Sequence, residues 1–221
     1  MIKKLGLTNN QLKIIAMLAM LFDHVGKVLL PQYTILQIIG RIAFPIFAFM
    51  IAEGSYYTRN KIRYFLSVFL LGAGCQAVYI IWEKSFYMNI LLTFSLSIIF
   101  IFSLENYKKT KEKRIRILML FTVITVLLIA VMLPVILIDQ GFIIDYGVCG
   151  VLLPVAIFYA PDKLRKLIYT AGILILLTLD LGGGIQWWSL LSIPFLALYK
   201  QSAAGRFPEP YPEHAHIPGA F

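Results

Sequence analysis

Charge is what this 221-residue chain has least of. Charged residues make up 14% of it and apolar types 60%, against ~25% and ~45–50% in an ordinary soluble domain. A soluble fold of this size could not hide so much apolar surface, so the sequence describes an integral membrane protein. Acid is scarcer still: 11 Asp plus Glu face 20 Lys plus Arg, a net charge of +9. In a soluble protein that excess would point to nucleic acid; here its placement along the chain matters more, and no nucleic-acid partner is expected. There are only two cysteines, Cys75 and Cys149, both inside apolar runs, where they act as small buried hydrophobes rather than a disulfide or a metal site. Walker loop, dinucleotide fingerprint, HExxH pair and GxSxG elbow are all missing. The stretch from Met1 to Lys13 runs into an apolar segment too long for a secretory leader and without a small-residue cleavage site.

What is present is apolar sequence in long runs. A hydrocarbon core of ~30 Å takes about 20 helical residues. Eight runs approach that length: 11–30, 34–54, 64–82, 88–105, 115–138, 141–160, 167–181 and 185–200. They are continuous rather than alternating, which excludes a barrel. The expected fold is all-α, a polytopic bundle of about eight transmembrane helices forming one domain over residues 1–200. Residues 201–221, with prolines at 208, 210, 212 and 218, form an extended Pro-rich tail outside it.

Charge placement gives a second, independent reading. With the N-terminus in the cytoplasm, the inside segments collect Lys3, Lys4, Lys13, Arg59, Lys61, Arg63, six basic residues from Lys108 to Arg116, then Lys163, Arg165, Lys166, Lys200 and Arg206. That is 17 of the 20 basic residues. The alternation satisfies the positive-inside rule with both termini cytoplasmic.

Ionisable groups inside lipid cost ~2.5–3.5 kcal/mol on insertion scales, so each is a functional candidate. Span one carries Asp23, His24 and Lys27; span two carries Arg41, with Glu53 at its inner end; Asp145 and Asp180 lie on spans six and seven. By helical rise, His24 and Arg41 sit ~9 and ~10 Å below the outer ends of their spans. Asn89, Asp145 and Asp180 share that outer half, as groups around a pocket would. Asp23 and His24 diverge by ~100° and do not face each other, whereas Asp23 and Lys27 are spaced to pair. Arg41 is the other natural partner of Asp23. An acceptor orienting His24 is expected from another span, with Asp145 and Asn89 as candidates. Structural duty competes with this: Asp–Arg pairs fix helix packing, and a lone histidine can bond a carbonyl. The trio Glu213, His214 and His216 is metal-capable but lies in the proline-rich tail, and no metal is expected.

Two segments carry a family resemblance. Leu12 through Gly26, containing Asp23-His24, and Gly40-Arg41-Ile-Ala-Phe-Pro45 through Glu53-Gly54, followed by Thr58-Arg59-Asn60, resemble the TraX family. Weaker matches follow at Asn89 to Thr93, Asp145-Tyr146-Gly147-Val-Cys-Gly150, and Ser189 to Tyr199. Family members usually continue past Tyr199 into an apolar helix with a Tyr-Pro-x-His motif; here Tyr211-Pro212-Glu213-His214 has the letters without that helix.

The resemblance implies a multi-pass acetyltransferase of the bacterial inner membrane. It would take acetyl from cytoplasmic acetyl-CoA to an acceptor peptide, pilin or glycan. Imidazole is the side chain that ordinarily changes charge near neutrality, so in such chemistry His24 is the base or transient acyl carrier. Arg41 would stabilise developing negative charge, with Asp23 holding it. Arg59, Asn60 and Arg63 would take the donor's nucleotide at the inner face. Lys27, Asn89, Asp145 and Tyr146 are the substrate-binding candidates. The alternative is a non-enzymatic transporter or channel whose charged layer carries protons or a small anion, for which broken helices or internal repeats would speak; no repeat is evident.

Overall fold

A computed structural model describes residues 6–84 and 86–200, so the Pro-rich tail with its Tyr211–His214 segment lies outside the described residues. The described residues are helical, with only two isolated bridges, Leu7 with Tyr199 and Met88 with Ile144. In chain order the helices are α1 (Asn9–Val28), α2 (Thr34–Gly40), α3 (Ala43–Tyr57), α4 (Lys61–Val78), α5 (Ile90–Lys109), α6 (Lys113–Ile136), α7 (Gly147–Tyr159), α8 (Lys163–Asp180) and α9 (Ser192–Leu198). A π-helical turn, Tyr79–Glu83, continues α4, and a 3₁₀ run, Gly184–Leu191, leads into α9.

The starts of these helices are written locally. Thr8 and Gln11 form a reciprocal capping box at α1, and the side chains of Asn60, Asn89 and Asp162 accept backbone N–H bonds at α4, α5 and α8. Each satisfies donors that a helix end otherwise leaves unpaired, which matters most where no water competes.

Helix falls in each of the eight apolar runs. Four helical stretches are long and apolar enough to cross a membrane: Thr34–Tyr57, Lys61–Trp82, Ile90–Lys109 and Lys113–Ile136. The others fall short for distinct reasons. α1 carries Lys13, Asp23 and Lys27, and α8 carries Lys163, Arg165, Lys166 and Asp180. α7 has 13 residues, ~20 Å of helix against a ~30 Å core.

α3 is the centre of the bundle. It is apolar on every side, the mark of a helix buried all round. Phe44, Ile46, Ala48, Phe49 and Ala52 pack with Leu12 and Ala16 of α1, Phe94 and Ile98 of α5, Leu153 and Ile157 of α7, Leu174 and Leu177 of α8, and Leu196 of α9. A second cluster joins α5, α6 and α7 through Ile101, Val126 and Val151. Ser97 Oγ donates to the Val151 carbonyl at 2.9 Å, tying α5 to α7. α4 and α6 present Leu70, Leu71, Phe121 and Val135 outward, the surface that lipid covers.

Candidate functional site

The second apolar run breaks where its charge lies. α2 ends at Gly40, α3 begins at Ala43, and Arg41 sits in the turn between them. Pro45 in the first turn of α3 has no N–H to give and its ring crowds the carbonyl four residues back, so the break falls at Arg41. From there Arg41 Nη2 donates to Asp23 Oδ1 at 2.6 Å, and Lys27 Nζ meets Asp23 Oδ2 at 2.5 Å. Asp23 thus neutralises two cations from two helices. Arg41 Nε reaches the Gln37 carbonyl and Nη1 the Gln186 Oε1, each at 3.4 Å.

Asp145 is held beside this group by different means. Tyr87 O–H donates to its Oδ1, Thr93 Oγ1 donates to its carbonyl, and its N–H donates to the Met88 carbonyl. Lys27, Arg41 and Asp23 all lie within its electrostatic reach. Tyr146, next in sequence, has φ +57, a left-handed backbone costly for an aromatic residue. Its ring stacks on Phe44 with centroids 3.9 Å apart and planes 8° from parallel. The stack holds the strained turn against α3.

Asn89 stands apart from the charges. Its Oδ1 caps α5 through the Leu91 and Leu92 N–H groups, and its Nδ2 donates to the Gly72 carbonyl and to Gln76 Oε1. Gln76 in turn donates to the Tyr87 carbonyl. Asn89's side chain is thus taken up by capping α5 with its oxygen and joining α5 to α4 with its amide nitrogen. Asp180 is exposed at the end of α8.

His24 faces the other way. It lines an open cleft of about 280 Å³ between α1 and the C-terminal end of α4, together with Cys75, Val78, Tyr79 and Trp82. Its Nδ1 lies 2.9 Å from the Met20 carbonyl, so the orienting acceptor comes from its own helix, not from Asp145 or Asn89 on another span. The i−4 carbonyl is within reach of any side chain that folds back along its helix. A carbonyl can only accept, so Nδ1 is the donor in this contact, and in the neutral imidazole Nε2 is then the acceptor.

At the opposite end of α3, Lys166 Nζ donates to Glu53 Oε1 at 2.5 Å and lies over the Phe49 ring. Lys61 and Lys109 share Glu105. Arg63 and Asn60 are exposed on α4, where with Ile62, Leu66, Ser67 and Leu70 they line a surface hollow of about 420 Å³. Asn60 Oδ1 there accepts from the Arg63 N–H, so part of its role is the cap; Arg59 is also exposed.

Sequence reasoning missed Gln186, Tyr87 and the Glu53–Lys166 pair. Gln186 was legible as a polar residue in an otherwise apolar run; Tyr87 resembles an interfacial anchor until its partner is known.

A family model described as TraX protein matches residues 8–215. The chain is 38% identical over 102 residues to an uncharacterized protein of Rickettsia prowazekii (strain Madrid E), covering 45% of this chain and 39% of that protein. It is 33% identical over 73 residues to a probable fimbrial assembly protein of Dichelobacter nodosus, covering 31% of this chain and 30% of that protein. The matches thus span well under half the length of either relative. No solved structure matches. With nearly the whole described bundle inside the family match, the chain belongs to the TraX protein family.

Proposed function

We propose that this chain is a membrane-embedded acyltransferase that moves acetyl from acetyl-CoA to an acceptor amine or hydroxyl, with His24 as the general base. The observation that carries the reading is the contact of His24 Nδ1 with the Met20 carbonyl, which leaves Nε2 unengaged on a residue that lines an open cleft. A base so placed takes the acceptor's proton as its nitrogen or oxygen attacks the thioester carbonyl, and CoA leaves as the thiolate that is then protonated. Asp23 and Arg41 act behind this cleft: their pair fixes α1 against α2 and so fixes the face His24 presents.

The donor fits the other hollow on α4. Arg63 in the hollow supplies a cation for phosphate, with exposed Arg59 just before it in the chain, and Ile62, Leu66 and Leu70 an apolar wall. Arg63 and Cys75 are 12 residues apart on α4, ~18 Å by helical rise, a distance for an extended arm. The topology that serves this chemistry has eight crossings and both termini cytoplasmic in the bacterial inner membrane, so that acetyl-CoA meets Arg63 inside and the acceptor meets His24 near the outer surface. The match to a probable fimbrial assembly protein supports a pilin or pilin-like peptide as acceptor.

The break between α2 and α3 at a part-buried arginine favours a second reading, a transporter whose charged layer carries protons or a small anion. One experiment separates them. Protein in nanodiscs is incubated with acetyl-labelled acetyl-CoA and a peptide amine, and free CoA thiol and acetylated peptide are measured. Equal yields of both, lost in His24→Ala, support the acyltransferase. Thiol release no faster than in protein-free nanodiscs overturns it.

A further inference from the structure

Buried polar groups without partners are costly in any protein and more so in one surrounded by lipid. Three such atoms among the described residues lie on one short segment: Gln186 Nε2, Ser189 Oγ and Ser192 Oγ. The residues that carry them are 3%, 0% and 0% exposed. Gln186, Ser189 and Ser192 recur every third residue along the 3₁₀ run and its exit into α9. A 3₁₀-helix repeats every three residues, so these side chains eclipse one another on one face, ~6 Å apart.

That face is turned towards the start of α3, because Gln186 Oε1 accepts from Arg41 Nη1. The segment then runs alongside α3 in the same direction, and at its far end the Tyr199 ring meets Phe49 at 5.3 Å, one helical turn from Glu53. The polar row therefore starts at the Asp23–Arg41 pair and runs towards the Glu53 end of α3. Its steps of ~6 Å are what one bridging water spans with two hydrogen bonds of ~2.8 Å each. Yet the three atoms touch no solvent in this arrangement: the row is lined for polar contents and shut upon itself.

The entry to the segment is built to turn. Gly182, Gly183 and Gly184 have φ of +73, +85 and +63, successive left-handed positions that suit glycine alone. The 3₁₀ run that follows has eight residues, twice or more the usual ~3–4, and long 3₁₀ stretches mark hinges.

We propose that the Gly184–Leu191 run swings away from α3 about the Gly182–Gly184 turn, with α9 held in place by Leu196 in the core and by the Leu7 hydrogen bonds, and that the row of Gln186, Ser189 and Ser192 then takes up water. The result is a hydrated passage that leads from the Arg41 cluster towards the Glu53–Lys166 pair. Its contents are water and solutes of similar size, and the ion pairs at the two ends keep it from being an open pore. The passage stands whether or not the chain transfers acyl groups.

Silver ion is close to water in size, crosses lipid poorly and reacts with thiols. In a Cys75→Ala, Cys149→Ala background in nanodiscs, Ser189→Cys and Ser192→Cys replace one hydroxyl each with a group of similar shape. Both thiols should be consumed by silver, at least ten-fold more slowly than a thiol placed at exposed Asp139. Adding Ser192→Ala to Ser189→Cys should slow consumption several-fold further, since removing an unpartnered hydroxyl favours the shut form. Thermal midpoints near the parent's show that the variants fold; should one fail, the other carries the test. Thiols at 189 and 192 that survive silver for hours, while that at 139 is consumed at once, would overturn the proposal. So would consumption unchanged by Ser192→Ala.

Discussion

A Cβ on Gly40 would stand 2.3 Å from the Cβ of Asp23 and 2.6 Å from its Oδ1. The volume that any other residue's side chain would fill at 40 is occupied by the carboxylate on α1. Because Arg41 is the next residue, this close approach is also what brings its guanidinium to 2.6 Å from Asp23 Oδ1. One missing methyl thus sets the packing of α1 on α2 and the closure of the ion pair.

Gly40→Ala should therefore weaken the fold by about 1–3 kcal/mol, the usual cost of overpacking, and should part Asp23 from Arg41. Thermal unfolding of the variant in lipid checks the first. A midpoint equal to the parent's would mean that α1 and α2 can separate freely.

Asp23 and Arg41 should behave as a unit. Asp23→Asn leaves a largely buried guanidinium uncompensated, and breaking a buried pair costs about 3–5 kcal/mol. Asp23→Asn with Arg41→Gln should cost less than the two single losses added. Strict additivity in the double-mutant cycle would deny the coupling.

His24→Ala should lower acetyl transfer by ~10²–10⁴-fold, the contribution of a positioned base, without lowering the thermal midpoint, because the side chain is exposed and its one hydrogen bond is to its own helix. Rates of thiol release and of peptide acetylation, measured together, test this. A parent-like rate in a folded variant would remove His24 from the chemistry.

Asn89→Ala should damage stability far more than His24→Ala does. It removes the cap of α5 and the side-chain bonds to the Gly72 carbonyl and Gln76 Oε1, although Gln76 keeps the Asn89 backbone N–H, a loss of about 2 kcal/mol from the cap and the cross-helix bonds combined. Folding assays and acetyl transfer should fall together, with transfer per folded molecule unchanged. A folded Asn89→Ala with altered acceptor affinity would return Asn89 to the binding residues.

Glu53→Gln should leave Lys166 without its counter-charge at the far end of α3 and lower stability, and Lys166→Met in the same chain should recover most of the loss. No recovery would mean that Lys166 finds another acceptor.

The helices and the pairing of Asp23 with Lys27 were legible because both rest on local rules: apolar length, capping side chains and the i, i+4 spacing. Arg41 as a partner of Asp23 followed from equal depth and from the cost of a lone charge in lipid. Asn89 misled because depth alone placed it among the charges, while its contacts with Gly72 and Gln76 depend on how α4 meets α5. His24 misled in a different way: nothing in its sequence neighbours says which wall of α1 it faces or that Met20 supplies its acceptor.

By itself the sequence determined that this chain lives in lipid, folds as helices and carries its ionisable groups in few places, because composition and periodicity act residue by residue. Only the tertiary structure decided which of those groups meet. The crossing of α1 and α2 at Gly40, the break at Arg41 and the 3₁₀ run with its row of Gln186, Ser189 and Ser192 depend on contacts between residues far apart in the chain, and no local spacing encodes the distance between two helices.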